Sequence, residues 1–374
     1  MTEATNTNSA AKTKAKREPL LRVAKRNNIK SWQAACIRVG GVLVALIINA
    51  IFILATTGVD PITAYATMFR GAFGNSIYIW STINSTVKLL CIAVALAPAF
   101  KMRFWNIGAE GQVLIGALMT AIVMVNFADL PAYLLFPLMF LSAAVGGAVW
   151  AVIPAIFKAK WGTNETLFTL MMNYVAIQLV SFFYNLWKGS SSSLGQLNKI
   201  GHEGWFPAIM GQRTFINVII VVILTVVMYF YLSKTKQGYE ISVVGESQNT
   251  ARYAGINVKA VLIRTMAISG LVCGVCGCMT VAGQSQTIST NIASGYGFTA
   301  IIVAWLSKFN TFYMAGISLF IVALEKGTAL ISNRFSSFSA SACDVVVGIM
   351  LFCVIGCEFF INYRVLLRGK EAVK

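Results

Sequence analysis

The chain has 374 residues, of which 57% are hydrophobic and 11% are charged, and its mean hydropathy is +0.72. Water-soluble domains carry about a quarter charged residues, so these values exclude a soluble globular protein. The formal net charge of +17 comes with no nucleic-acid-binding motif, and basic residues that separate apolar runs are typical of a multi-pass membrane protein.

The first 33 residues are polar and hold eight Lys and Arg residues. No apolar face recurs in them at a helical or strand period, so we predict a disordered, solvated tail over 1–33 that can touch anionic lipid. A cleaved signal peptide has a short basic region and a short apolar core. Here the basic region is long and the next apolar run can span a membrane, so we expect the tail to be retained.

Ten apolar segments follow, and each is compared with the about 20 residues that cross a bilayer as a helix. They cover 34–56, 84–100, 107–127, 131–157, 165–187, 214–232, 265–283, 297–307, 311–332 and 340–362. Lys88 interrupts the second segment and Lys308 ends the eighth early. We predict an all-α polytopic membrane domain over 34–365, with ten spans or with eight spans and two irregular segments.

The distribution of basic residues predicts the orientation. With the amino terminus inside, 22 of the 30 Lys and Arg residues fall on inside segments, five fall outside and three lie within apolar segments. Basic residues accumulate on the cytoplasmic side. We therefore expect both termini, the loop 233–264 and the carboxyl-terminal tail 366–374 to be cytoplasmic.

The loop 233–264 contains a short predicted helix. Ser247 can cap its first turn, 248–254 can form about two turns, and Gly255 can end it in the left-handed conformation. The helix has little apolar surface, which favours a docking element for another protein, although an ordinary surface helix fits equally well. The candidate residues are Gly245, Ser247, Asn249, Ala251, Arg252, Ala254 and Gly255.

Polar residues at membrane depth are costly and need an explanation. At the start of the third segment, Gly108 and Gly111 allow a close approach, Asn106 and Glu110 share a face at a spacing of four, and Gln112 points elsewhere. We predict a packed junction with hydrogen-bonding capacity. Here Glu110 and Asn106 would hold the segment in place rather than bind a solute.

A second polar group opens the fifth segment. Glu165, Thr169 and Asn173 recur every four residues, and Asn164 and Tyr174 flank this stripe. A polar stripe in lipid must face protein or water. Two interpretations stay open: helix capping with interhelical hydrogen bonds, or a lining of a solute pathway.

Cysteine spacing suggests packing rather than metal binding. Cys273, Cys276 and Cys278 lie in an apolar segment without a nearby histidine, beside Gly270 and Gly274 at a spacing that permits close helix contact. Cysteine in a membrane helix acts as a small hydrophobe. We predict no metal site.

Two other function classes would require different residues. An ion-coupled secondary transporter would use buried carboxylates such as Glu110, Glu165 or Asp344. A membrane enzyme would need a nucleophile, base or metal set, and the sequence offers only His202, in an outside loop. Three carboxylates are first interpreted as satisfied packing groups: Glu325, Asp344 and Glu358.

Four runs, in order, carry a resemblance: 106–112, 162–174, 245–256 and 295–301. Together they resemble the permease subunits of ABC importers for branched-chain amino acids, ribose and simple sugars. The similarity is greatest to the nucleoside-importing branch associated with basic-membrane-protein lipoproteins, and it extends over about residues 35–365. Members often have Thr-Pro where this chain has Thr86-Val87-Lys88.

The resemblance implies a non-enzymatic permease of the bacterial cytoplasmic membrane that forms half of a pathway for a nucleoside or a related sugar-containing solute. It implies that 247–255 is a coupling helix seated on an ABC ATPase. The chain has no G-x-x-x-x-G-K-[ST] run, so ATP and Mg would be bound by that ATPase. The other implied partners are a second, same or related permease and an extracytoplasmic substrate-binding lipoprotein that docks on 188–213 and 284–296.

Overall fold

The computed structural model describes residues 21–26, 30–209, 211–335 and 338–367. Its elements are β1 Leu21–Lys25, α1 Ser31–Thr57, α2 Pro61–Phe73, α3 Ser76–Lys101, α4 Ala109–Asn126, α5 Ala132–Trp161, α6 Glu165–Lys188, α7 Phe215–Lys234, α8 Lys236–Glu246, α9 Gln248–Tyr253, α10 Val258–Met279, a π-helical turn Thr280–Ser285, α11 Tyr296–Leu306, α12 Thr311–Arg334, α13 Ala340–Asn362 and β2 Tyr363–Leu367. The predicted all-α polytopic fold is confirmed.

Nine helices of the described ranges are long and apolar enough to cross a membrane, and α11 is a shorter apolar helix. The eighth predicted segment is therefore short, as expected. The second is not, because α3 extends over 26 residues from Ser76 to Lys101. Of the two alternatives left open for this segment, the irregular one around Lys88 does not hold, since tertiary partners satisfy the ammonium group and the helix does not have to break there.

Residues 59–347 form one compact unit, and three helices lie at its centre. The most apolar windows of α3, α4 and α10 are 83%, 78% and 67% buried, whereas those of α6 and α7 are only 22% and 28% buried. The centre is thus covered by protein, and the outer helices keep apolar faces that a bilayer can cover.

Small residues bring α10 close to its neighbours. A Cβ on Gly116 of α4 would lie 2.5 Å from Gly274, and one on Gly147 of α5 would lie 2.8 Å from Gly274. Lipid is as apolar as the helices, so association depends on such close packing. Cys273, Cys276 and Cys278 are buried without disulfide bonds, which agrees with the packing interpretation of this segment.

Two helices were not foreseen in the sequence. In α2 the side chain of Asp60 accepts a hydrogen bond from the backbone of Thr63, and Pro61 takes the first helical position. In α8 the Thr235 hydroxyl accepts a bond from the backbone of Gly238. Both caps are local sequence signals for a helix start, and Asp-Pro is a common one.

The second compact unit comprises the described residues within 1–58 and 348–374. Within it, β1 pairs antiparallel with β2, with Leu21 opposite Leu367, and Arg38 forms an ion pair of 2.6 Å with Glu358. The strand β1 lies inside the segment predicted to be a disordered tail, so that prediction was wrong for Leu21–Lys25, whose sequence LRVAK forms an extended strand paired with β2. Most of both predicted tails, 1–20 and 368–374, lies outside the described residues.

Candidate functional site

The site is built around the amino terminus of α11, inside the first compact unit. We call Lys88, Glu110, Ser294, Tyr296 and Glu325 the α11 junction. Three of these residues come from different spans, α3, α4 and α12, and two come from the turn that opens α11. Each side chain contributes a bond that fixes the start of this short helix.

Glu110 binds the first turn of α11. Its Oε1 accepts a hydrogen bond of 2.9 Å from the backbone N–H of Gly295, and its Oε2 accepts one of 2.8 Å from that of Gly297. A carboxylate is favoured here because the free N–H groups and the helix dipole make a helix start electropositive. A Cβ on Gly297 would lie 2.6 Å from the backbone nitrogen of Glu110, so glycine permits this contact.

Lys88 binds the same turn from α3. Its Nζ donates to the Ser294 hydroxyl at 2.9 Å and to the Ile292 carbonyl at 3.2 Å, and it lies 5.0 Å from the centre of the Tyr296 ring. Glu110 and Glu325 also lie within electrostatic range of Lys88. A buried ammonium is tolerated only with such partners. These contacts compensate the burial of Lys88, so its charge is compatible with the fold.

Tyr296 makes the third connection. Its hydroxyl donates a hydrogen bond of 2.8 Å to Oε2 of Glu325 on α12. The packing interpretation of Glu325 is therefore supported, as is that of Glu358 through its ion pair with Arg38. Asp344, by contrast, is exposed on α13.

The carboxyl-terminal end of α11 is fixed by aromatic rings. Trp305 stacks on Trp105 with ring centres 5.4 Å apart and planes inclined by 23°. Phe100 meets both rings edge-on. The two ends of an eleven-residue helix are thus held by different forces, charge at the first turn and ring packing at the last.

The turn before α4 differs from the prediction. Asn106 precedes the helix, which begins at Ala109, so Asn106 and Glu110 do not share a helical face. Asn106 instead accepts hydrogen bonds from the backbone of Gly108 and from Gln112. The expectation that Gln112 points elsewhere was wrong, because the turn folds back over the first helical turn and brings the two amides together.

The polar stripe of α6 binds this turn. Asn173 accepts from the backbone N–H of Gly111 at 2.8 Å and donates to the carbonyl of Ile107 at 2.9 Å, while Thr169 accepts from the backbone of Ile107 at 3.2 Å. A Cβ on Gly108 would approach Thr169 to 3.1 Å. The two polar groups found in the sequence therefore contact each other. Side chains of α6 bind backbone groups at the start of α4.

The other residues of the α6 group lie apart from that contact. Asn164 caps α6 by accepting from the backbone of Leu167, Glu165 pairs with Lys158 at 2.7 Å, and Tyr174 is 59% exposed. A contribution of this group to solute passage stays a prediction.

The loop 233–264 folds as α8 followed by α9. Ser247 accepts from the backbone of Thr250 and Gly255 has a φ of +76°, so the predicted helix and both of its ends are present. Ala251 is fully buried, whereas Tyr253 is 93% exposed. Asn249 accepts a weak bond of 3.4 Å from the exposed Arg252.

The helix pair is attached to two central spans. A Cβ on Gly245 would collide with the carbonyl of Lys101 at the end of α3, so only glycine allows α8 to lie so close. Arg264 of α10 pairs with Glu240 of α8 at 2.9 Å. The loop is therefore fixed to α3 and α10, and its exposed tip is α9 with Ala254 and Gly255.

The two predicted docking loops pack on each other. The backbone of Leu197 donates to the carbonyl of Gln286 at 2.8 Å, and that of Phe206 donates to Ala282 at 3.0 Å. Trp205 is buried and donates its ring N–H to Leu197. The described part of 188–213 is thus bonded to Gln286 in the second loop and to Ala282 just before it.

A protein-family comparison covers residues 78–355 and matches the branched-chain amino acid transport system permease component. The chain belongs to this family. It is 30% identical to the glucose ABC transporter permease protein of Haloferax volcanii, over 94% of this chain and 96% of the relative. It is 30% identical to the guanosine ABC transporter permease protein of Bacillus subtilis (83% and 91%) and 28% identical to the nucleoside ABC transporter permease protein of Lactococcus lactis (89% and 93%).

The family consists of transporter subunits. Relatives of this kind are membrane subunits of ATP-driven transporters rather than enzymes, and such systems include an ATPase and a substrate-binding component. With nine candidate spans among the described residues, the chain is a multi-pass permease of the bacterial inner membrane. The four runs that carried the resemblance map onto the turn before α4, the start of α6, the α8–α9 loop and the α11 junction.

Proposed function

We propose that this permease forms half of the pathway for a nucleoside or a related small sugar-containing solute and is driven by a separate ATPase that docks on α9. The relatives are named for glucose, guanosine and nucleosides. The chemistry common to these solutes is a polyhydroxylated sugar ring, which is recognised by directed hydrogen bonds and aromatic contact.

The observation that carries the coupling proposal is the attachment of α9. A helix of six residues transmits movement only when it is fixed on one side and exposed on the other. Ala251 and Gly245 fix the α8–α9 pair, and Arg252 and Tyr253 face outward. An ATPase that moves α9 would therefore move α3 and α10.

From α3 the movement can reach the α11 junction. Lys101 and Lys88 are on the same helix, separated by about 20 Å at 1.5 Å per residue. A shift of α3 at Lys101 would move the ammonium of Lys88 relative to Ser294. We propose that this path joins ATP hydrolysis to the opening of the pathway, with ATP and Mg bound by the ATPase.

The remaining elements fit the same arrangement. The count of basic residues supports cytoplasmic termini and a cytoplasmic α9, which leaves the surface of 188–213 and 284–296 for the extracytoplasmic binding lipoprotein. A second permease, the same or related, would complete the pathway. On α6, Thr169 and Asn173 would position the turn before α4, and Tyr174 would be available to the solute.

Ion-coupled transport is less well supported by the same contacts. Both carboxylate oxygens of Glu110 accept backbone hydrogen bonds, and Glu165 is paired with Lys158. A coupling ion would have to displace those partners.

The test is to express the chain with its neighbouring ATPase and permease and to compare Arg252→Glu with the matched charge reversal Lys160→Glu in the last turn of α5. We expect Arg252→Glu to weaken ATPase co-purification and to abolish solute-stimulated ATP hydrolysis, because a mispaired interface charge is costly. Lys160→Glu should change neither. Wild-type ATPase retention and uptake in Arg252→Glu would remove the coupling role from α9.

A further inference from the structure

A basic cavity lies between the end of α2, the start of α3 and the end of α12. It has a volume of 480 Å³ and is lined by Arg70, Gly74, Asn75, Tyr78, Leu330, Asn333 and Arg334. Arg70 is in the last turn of α2, and Arg334 is in the last turn of α12. Tight packing of α2 on α12 holds the walls, because a Cβ on Gly71 would lie 2.9 Å from the carbonyl of Lys326.

Neither arginine has an acidic partner in the part of the chain that the structure describes, where the ion pairs are Arg38–Glu358, Lys158–Glu165 and Arg264–Glu240. Both are exposed. Two guanidinium groups on one cavity bind an oxyanion well, since each offers several N–H donors in a planar fork that matches phosphate or carboxylate.

The remaining lining residues add neutral donors and one apolar wall. The Asn75 oxygen already accepts from the backbone of Tyr78 at 2.8 Å, so the amide nitrogen is the group that Asn75 can offer. Tyr78 and Asn333 add a hydroxyl and an amide, and Leu330 adds apolar surface.

The surroundings of the cavity indicate its depth in the bilayer. Ile62, Phe69 and Ile77 are 78%, 69% and 76% exposed, and they belong to α2 and to the start of α3. Of these three, Ile77 lies on the candidate span α3. Exposed apolar side chains on spanning segments face acyl chains, so the cavity at the start of α3 and the end of α12 lies where the hydrocarbon gives way to headgroups.

We propose that this cavity binds the phosphate of an anionic phospholipid, with the acyl chains along the apolar side chains of α2 and α3. The alternative occupant, an acidic side chain of the extracytoplasmic partner, would leave those apolar side chains without a role. A zwitterionic lipid has the same phosphate but also a cation that two arginines repel, so an anionic headgroup is preferred.

The test measures lipid binding to the purified full chain in detergent by native mass spectrometry, with dioleoyl phosphatidylglycerol and dioleoyl phosphatidylcholine as probes. We expect Arg70→Gln/Arg334→Gln to bind phosphatidylglycerol about tenfold more weakly, because two charge-assisted contacts are lost. The control Lys188→Gln/Lys199→Gln removes the same charge from other segments, including the last turn of α6, and should bind normally.

A second variant separates lipid binding from misfolding. Asn333→Trp keeps both charges but fills the cavity, and it should also bind phosphatidylglycerol more weakly while unfolding at the wild-type temperature in lipid-free detergent. Equal binding by the wild type and both cavity variants would overturn the proposal. So would stabilisation by inorganic phosphate as strong as that by phosphatidylglycerol, or loss of binding-lipoprotein association in Arg70→Gln/Arg334→Gln with lipid binding intact.

Discussion

Oε2 of Glu110 accepts a hydrogen bond of 2.8 Å from the backbone N–H of Gly297, which ties the first turn of α4 to the first turn of α11. Two helix starts that face each other would leave free N–H groups inside the membrane. One carboxylate from α4 satisfies two of those on α11. The contact therefore allows a short helix to begin inside the protein.

Glu110→Gln should destabilise the protein more than it changes solute affinity. The glutamine amide has one acceptor oxygen, so the backbone N–H of either Gly295 or Gly297 would face an NH₂ group. The unsatisfied N–H should lower the free energy of unfolding by about 1–3 kcal/mol. The measurement is the unfolding temperature of the assembled complex in detergent together with solute binding. The control is Glu246→Gln, an exposed carboxylate. Normal assembly with abolished solute binding would contradict this assignment.

Lys88 and Glu325 should be energetically coupled. Lys88→Met removes the bonds to Ser294 and Ile292 and takes one cation away from Glu110 and Glu325, so we expect a clear fall in unfolding temperature. Glu325→Gln should also destabilise the protein. The unfolding temperature of the double variant should fall by less than the sum of the two single falls. The reason is that removing both opposite charges leaves neither one buried without its partner. If the fall in the double variant equals the sum of the two single falls, the two charges act independently.

Gly255→Val should uncouple transport from ATP hydrolysis. Gly255 has a φ of +76°, and a β-branched residue at positive φ costs about 1–2 kcal/mol locally. The end of α9 should fray while membrane insertion stays normal. Gly316→Val is the control, since no atom lies within 4 Å of a Cβ built on Gly316. The readout is solute-stimulated ATP hydrolysis at equal protein levels; full stimulation in Gly255→Val would argue against a rigid α9.

Gly274→Leu should prevent the central helices from packing. A Cβ on Gly274 would collide with the carbonyl of Ala143 and approach Ala144 to 3.3 Å, and overpacking in a close crossing costs about 1–3 kcal/mol or more. We expect little monodisperse protein on size-exclusion chromatography. Gly356→Leu, in α13 with no atom within 4 Å of a built Cβ, should elute normally. An unchanged profile for Gly274→Leu would mean that α5 and α10 can separate without loss of fold.

Nucleosides should compete for uptake. Because the relatives named for guanosine and nucleosides share 30% and 28% identity with this chain, we expect unlabelled guanosine, adenosine, inosine or uridine to reduce uptake of the labelled solute. Glucose, ribose and leucine serve as comparison competitors in cells with and without the gene. If all four nucleosides leave uptake unchanged, the nucleoside claim fails, and inhibition by glucose alone would point to a sugar.

The short coupling helix was predictable because its signals are local. Ser247 and Gly255 define the ends of α9 through the conformation of the residues themselves, and no distant partner is needed. Most span limits were predictable for a similar reason, since hydropathy depends on composition. The cap signals of Asp60-Pro61 and Thr235 were equally local but were overlooked, so α2 and α8 were missed.

Composition and hydropathy predict the membrane class, the order of the spans and the two polar groups at membrane depth, because the bilayer imposes its limits on each segment separately. What these polar groups bind depends on how the helices pack. Lys88 looked like an interruption until Ile292 and Ser294, about 200 residues away, were found beside it. A buried charge is tolerated or excluded according to its partners, and partners distant in the chain become neighbours only when the helices pack.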